Sequence, residues 1–232
     1  MTSGKPRRRR RRGEEPPAPP NNNRKIALGG IITAIVIAIV VAVWVGNGGN
    51  EAPTTSSIPV VAENEGRLLG NPDASVAIRD FSDFRCPHCR DAASDLTPQI
   101  IENYINDESQ VSFEFVPVAI LGDESMLAAQ ASICAEDQGQ FWAYHDKLFE
   151  QLSSDRFDMT TLQGYADDLG LDEQTFRDCM LGGKHRLTVE KNNDAFRQAG
   201  ARGTPSFLIG TQLVGGAVSF SEIQKIIDAQ LE

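Results

Sequence analysis

Histidine, cysteine and tryptophan are scarce in this chain, with three, four and two among 232 residues. A structural zinc site takes four ligands, usually from two Cys-x-x-Cys pairs or from one pair followed by closely spaced histidines. Here a single such pair occurs, Cys86 and Cys89, while Cys134 and Cys179 stand alone in the sequence and His145 and His185 are forty residues apart. This pattern argues against a metal centre, and neither a metal nor a cofactor is expected. Nor is there a nucleotide loop: the glycine-rich stretch "GNGGNE" lacks the strand and helix that would aim its backbone at phosphates. Basic charge is also missing from most of the chain. Nine of the 22 Lys and Arg fall in the first 25 residues, leaving 13 basic against 30 acidic residues beyond them, so no nucleic-acid partner is expected. No internal repeat is present.

At 41% apolar and 23% charged residues, the composition is that of a folded protein and excludes disorder of the whole. Residues 26–45, "IALGGIITAIVIAIVVAVWV", carry no charge. As a helix rising about 1.5 Å per residue they would span the roughly 30 Å bilayer core. The run exceeds the apolar core of a signal peptide, and "VWVGN" is a poor cleavage site, so a retained single-pass anchor is the reading. Arg7 to Arg12, Arg24 and Lys25 precede it. By the positive-inside rule they keep residues 1–25 in the cytoplasm, against anionic lipid, and place the remainder outside the cell membrane in an oxidising compartment. Residues 46–66, rich in Gly, Ser, Thr, Asn and Pro, read as a flexible tether, and 67–232 as one folded domain.

Within that domain, residues 74–84 alternate as a strand, with Val76, Ile78 and Asp80 on one face and Ala77, Arg79 and Phe81 on the other. A helix follows from Pro87, interrupted at Pro98, and 110–120 is a second strand. Helical spacing then places Leu127, Ala131 and Cys134 on one face, and Phe141, His145, Leu148 and Leu152 on another. Further helices end at Gly170, open at Asp172 and run from about Lys184 to Ala199. Two short strands around Gly210 and a last helix opened by Ser219 or Ser221 close the chain. The order is that of an α/β or α+β domain with a helical insertion at about 122–200. His145 reads as a packed helix residue and His185 as exposed.

"FSDFRCPHCR", residues 81–90, puts two cysteines one helical turn apart. Metal binding, a structural disulfide and a redox couple are all open to such a pair. Redox chemistry needs only two sulfurs, one of them able to exist as a thiolate, and a helix N-terminus favours that charge at Cys86. Arg85, His88 and Arg90 would add to it or else be exposed residues at a helix start. Stabilising the thiolate stabilises the dithiol over the disulfide, which makes the couple oxidising. Cys89 would be the less accessible, resolving partner. For Cys134 and Cys179, apolar helix faces and an oxidising compartment favour a structural disulfide, with redox sensing as the alternative. Closing a loop of that length would stabilise the fold by about 4 kcal/mol.

Strand, "FRCPHC" and helix, with "RGTPSFLIG" about 115 residues downstream, resemble the thioredoxin superfamily and in particular its DsbA-like thiol:disulfide oxidoreductases. "LLGNPDASVAIRDFSDFRCPHC" and "CAEDQGQFWAYHDKLFE" extend the likeness over about residues 64–232. The resemblance implies a thioredoxin fold, a mixed central sheet flanked by helices with an inserted helical subdomain. It implies that Cys86 and Cys89 are catalytic and that Pro87 and His88 tune them. Pro205 would be a cis-proline facing the pair, Thr204 the backbone that meets an incoming peptide, and Asp80 a buried acid handling the proton of Cys89. It further implies reduced secreted polypeptides as substrates and a membrane oxidant of the DsbB or vitamin K epoxide reductase type as partner. Thr204 also occurs in disulfide isomerases, so a reductase or isomerase is the alternative activity. A tethered metal-binding module is the more remote one.

Overall fold

The computed structural model describes residues 66–106, 110–216 and 218–232. The expected basic segment, membrane helix and tether lie outside the described residues except for Gly66. Among the described residues, no helix is long and apolar enough to cross a membrane.

Five strands form one mixed sheet in the order β1-β3-β2-β4-β5: β1 (Leu68–Gly70), β2 (Val76–Ser82), β3 (Val111–Pro117), β4 (Ser206–Ile209) and β5 (Gln212–Gly215). The central strand β2 runs parallel to β3 and antiparallel to β4, which puts Asp80 between Phe115 and Phe207. A parallel pair needs a crossover. It is supplied by α1 (Pro87–Asp91), a π-helical turn (Ala92–Leu96) and α2 (Thr97–Tyr104). The expected interruption at Pro98 takes this form because proline offers no N–H to the preceding turn and its ring collides with the carbonyl four residues back. The widened π turn absorbs the misfit.

Five helices separate β3 from β4: α3 (Asp123–Glu136), α4 (Phe141–Glu150), α5 (Met159–Asp168), α6 (Glu173–Leu181) and α7 (Arg186–Gln198). Asp158 and Asp172 cap α5 and α6 by accepting the N–H of Thr161 and Thr175. The terminal helix α8 (Phe220–Leu231) opens on a capping box in which Ser219 pairs with Glu222. Both faces of the sheet are covered. Val76 and Ile78 share a core with Ile100 and Ile101 of α2 and Ile223 and Ile227 of α8. On the other face, Phe81, Val116 and Val118 pack against Phe196 of α7.

Two elements differ from the expectation. The edge strand β1 pairs antiparallel with β3 through Leu68, Leu69 and Gly70, too short a run to show a period of two. The strand expected over 74–84 stops at Ser82, where the chain turns: the Cys86 N–H donates to the Asp83 carbonyl at 2.9 Å.

Candidate active site

Cys86 is the N-cap of α1 and Pro87 its first helical residue, where a missing N–H leaves nothing unpaired. The Cys86 carbonyl accepts the N–H groups of Cys89 and Arg90 at 3.1 and 3.2 Å, and this first turn brings Cys89 beneath Cys86. Both are free thiols; Cys86 retains 7% exposure and Cys89 1%. Pro87 and His88 are exposed beside them.

Asp83 organises the turn, a role that the sequence did not disclose. Its carboxylate is fully buried and accepts the N–H of Arg85 at 2.9 Å and those of Ile120 and Leu121 at 2.8 and 3.1 Å. Its own N–H donates to Cys89 Sγ at 3.4 Å. One side chain thus ties the turn carrying the cysteines to the loop that follows β3. The partners lie 37 and 38 residues away, so no local pattern reports them.

Across from the cysteines, the segment entering β4 contains the cis peptide bond Thr204–Pro205. The Cys86 thiol donates to the Thr204 carbonyl at 3.3 Å. A cavity of about 190 Å³ opens beside this contact, between His88, Asp91 and Asp95 on the helix side and Pro205, Gly216 and Val218 on the other.

The two thiols are electrostatically unequal. A hydrogen bond from the Cys89 thiol, opposed by partial burial and aided by the Thr204 side chain and the N–H groups of Cys89 and His88, lowers Cys86 from 9.0 to about 5. Burial first, then the bond it gives to Cys86 and the charge of Asp80, push Cys89 far up. Asp80 lies below the pair, 1% exposed between two phenylalanines. Burial raises it to about 7 even though Ser82 Oγ donates to its carboxylate at 2.6 Å. A carboxyl that titrates near neutrality next to a thiol that resists ionisation can take up or release the proton of that thiol.

Arg85 and Arg90, read from the sequence as adding to the charge at Cys86 or else as exposed residues at the helix start, are engaged elsewhere. Arg85 donates to the carbonyls of Leu152 and Asp155, pairs with Glu124 and lies over the Phe157 ring, which fastens the turn to the helical insertion. Arg90 pairs with Asp91 and Ser153. His145 is buried among Phe84, Phe115, Trp142 and Phe149, with Nδ1 at 2.8 Å from Asp146. Cys134 on α3 and Cys179 on α6 form a disulfide. His185 is half-buried rather than exposed, because its Nε2 meets Asp137 Oδ2 at 2.6 Å.

A dithiol at the start of the helix after the central strand, facing a cis-proline segment across a mixed sheet, defines a thioredoxin-fold redox protein. The thioredoxin family profile matches residues 62–229. Disulfide bond formation protein D of Bacillus subtilis is 30% identical over 172 residues, covering 71% of this chain and 77% of that protein. Among solved structures, oxidised BdbD from Bacillus subtilis superposes with a TM-score of 0.63 at 29% identity, over 72% of this chain and 93% of that one. A thioredoxin-like oxidoreductase from Silicibacter pomeroyi gives a TM-score of 0.61 at 28% identity, over 72% and 92%. The chain therefore belongs to the thioredoxin family, as a DsbA-like thiol:disulfide oxidoreductase.

Proposed function

We propose that this oxidoreductase is a membrane-anchored, extracytoplasmic dithiol oxidase that introduces disulfides into reduced secreted polypeptides. The observation that carries the direction is the inequality of the two thiols, with Cys86 lowered to about 5 and Cys89 raised. A couple whose reduced form holds a stabilised thiolate gains free energy when it accepts electrons. The charge-free run at 26–45 and the basic residues before it support the anchor and the outward orientation.

The cycle starts from the Cys86–Cys89 disulfide. A substrate thiolate attacks Cys86 Sγ, the intramolecular S–S bond breaks, and Cys89 leaves and is protonated, with Asp80 as the proton source. A second substrate thiolate then attacks the substrate sulfur of the mixed disulfide. Cys86 departs as a thiolate, and its low pKa makes it a good leaving group. The substrate has lost two electrons and gained a disulfide, and the enzyme holds a Cys86 thiolate and a Cys89 thiol. A membrane oxidant of the DsbB or vitamin K epoxide reductase type takes the two electrons and restores the disulfide. Thr204 and Pro205 would present backbone to the incoming peptide beside Cys86, and His88 would line the same approach.

The test mixes the oxidised full-length protein in detergent with a reduced, unfolded cysteine-containing substrate and counts thiols. One substrate disulfide per enzyme is expected, and none for Cys86→Ser or Cys89→Ser, since neither variant can hold the Cys86–Cys89 disulfide that takes the electrons. Net reduction of substrate disulfides by the dithiol form, without transfer in the oxidising direction, would overturn the proposal.

A further inference from the structure

The fold gathers four donor groups that are dispersed in the sequence. Cys134 Sγ, Cys179 Sγ and a ring nitrogen of His185 lie within 4.8 Å of one another. Asp137, which caps α3, places Oδ2 at 2.6 Å from His185 Nε2 and 3.8 Å from Cys179 Sγ. The sulfurs are buried, while the His185 side chain keeps 14% exposure and so leaves access from solvent. We propose that, when the Cys134–Cys179 disulfide is reduced, these two cysteines with His185 and Asp137 form a tetrahedral zinc site.

Zinc bonds of about 2.3 Å to sulfur and about 2.0–2.2 Å to nitrogen and oxygen require donors about 3.3–3.8 Å apart. The Asp137–Cys179 distance of 3.8 Å already meets this, and the Asp137–His185 contact of 2.6 Å needs to open by less than about 1 Å. Two thiolates and an imidazole select zinc over calcium or magnesium, which take oxygen ligands. In the disulfide form a cation already sits at the carboxylate: Lys184 Nζ lies 2.8 Å from the same Asp137 Oδ2, on a side chain that is 59% exposed and free to swing away.

The chemistry balances with a dithiol as reductant. The disulfide takes two electrons and two protons from it, giving two thiols and leaving the reductant as a disulfide. Zn²⁺ then displaces both thiol protons, and two Zn–S bonds replace the S–S bond. Helices α3 and α6 are thereby tied together under reducing as well as oxidising conditions. The inference is independent of the direction in which Cys86 and Cys89 work.

The test uses the full-length chain carrying Cys86→Ser and Cys89→Ser, so that no other thiol competes, reduced with a phosphine under anaerobic conditions. Co²⁺ serves as the probe and Zn²⁺ as the competitor. One equivalent of Co²⁺ with thiolate charge-transfer and tetrahedral ligand-field bands is expected, displaced by Zn²⁺, with no uptake by the oxidised chain. His185→Ala should weaken the site by at least about tenfold. Lys184→Met should tighten it by about fivefold, since a competing surface ion pair of about 1 kcal/mol is removed. Near-ultraviolet circular dichroism, followed in parallel, should show zinc preserving the tertiary signal of the reduced chain. The proposal fails if the reduced chain gives no tetrahedral Co²⁺ spectrum or if zinc leaves a collapsed tertiary signal unrestored. It also fails if the parent, His185→Ala and Lys184→Met bind equally well, which would mark two thiols acting alone.

Discussion

Replacing Cys89 by alanine removes the largest single cause of the low Cys86 pKa, the hydrogen bond from the Cys89 thiol. A hydrogen bond to a charged group contributes about 1.5–3 kcal/mol net. At about 1.4 kcal/mol per pKa unit this corresponds to an upward shift of about 1–2 units. The contributions of the Thr204 side chain and of the N–H groups of residues 88 and 89 survive the substitution. Cys86 should therefore move from about 5 to about 6–7 and stay below its ordinary value of 9.0. The assay is the rate of alkylation of Cys86 by iodoacetamide across the acid and neutral range; because Cys134 and Cys179 are bonded, Cys86 is the only free thiol in this variant. A sigmoid with its midpoint near 5 in the parent and near 6–7 in Cys89→Ala is expected. A midpoint that does not move on removing Cys89, or a parent that titrates near 9, would refute the reasoning that the cysteines set one another's ionisation.

Asp80→Asn should stabilise the protein, and increasingly so with rising pH. The folded pKa of about 7 lies above the unfolded value of 3.8, so the parent's contribution from this group is present below the unfolded value and lost as pH rises through the folded one. The gain above pH 7 is on the order of 4 kcal/mol and vanishes near pH 4, as read from urea unfolding; a variant no more stable than the parent in mild alkali would contradict it. Asp83→Ala leaves the N–H groups of Arg85, Ile120 and Leu121 without their acceptor and should cost about 2–4 kcal/mol, seen as a lower urea midpoint at unchanged slope. Converting both Cys134 and Cys179 to alanine should cost about 4 kcal/mol through the closed loop while leaving the Cys86 alkylation midpoint in place, because every hydrogen bond that lowers it comes from the active-site turn or Thr204.

Much of the site could be read from the chain itself. Pro87 signals a helix start because only there does a missing N–H leave nothing unpaired, and that locates Cys86 at the helix end. The alternation through Val76, Ile78 and Asp80 put the acid on the same face as the apolar residues, where the structure finds it buried. Features that depend on distant partners were not legible. Asp83 resembles any turn aspartate until the loop at Ile120 folds against it. Arg85 looks like a charge next to a cysteine, and its partners Glu124, Leu152 and Asp155 lie in the insertion. The neighbourhood of Cys134, Cys179 and His185 exists only because α3, α6 and the turn before α7 meet in space.

Whether the Cys86–Cys89 couple works as an oxidant is decided by its reduction potential. The full-length protein is equilibrated with glutathione redox buffers at neutral pH, quenched, and the state of Cys86 and Cys89 read by mass-tagged alkylation. An oxidising couple gives a midpoint above about −200 mV, clear of the about −270 mV of reducing thioredoxins. A midpoint below about −200 mV would contradict the oxidase role, because a couple that weak as an oxidant would hold its own disulfide rather than pass it on.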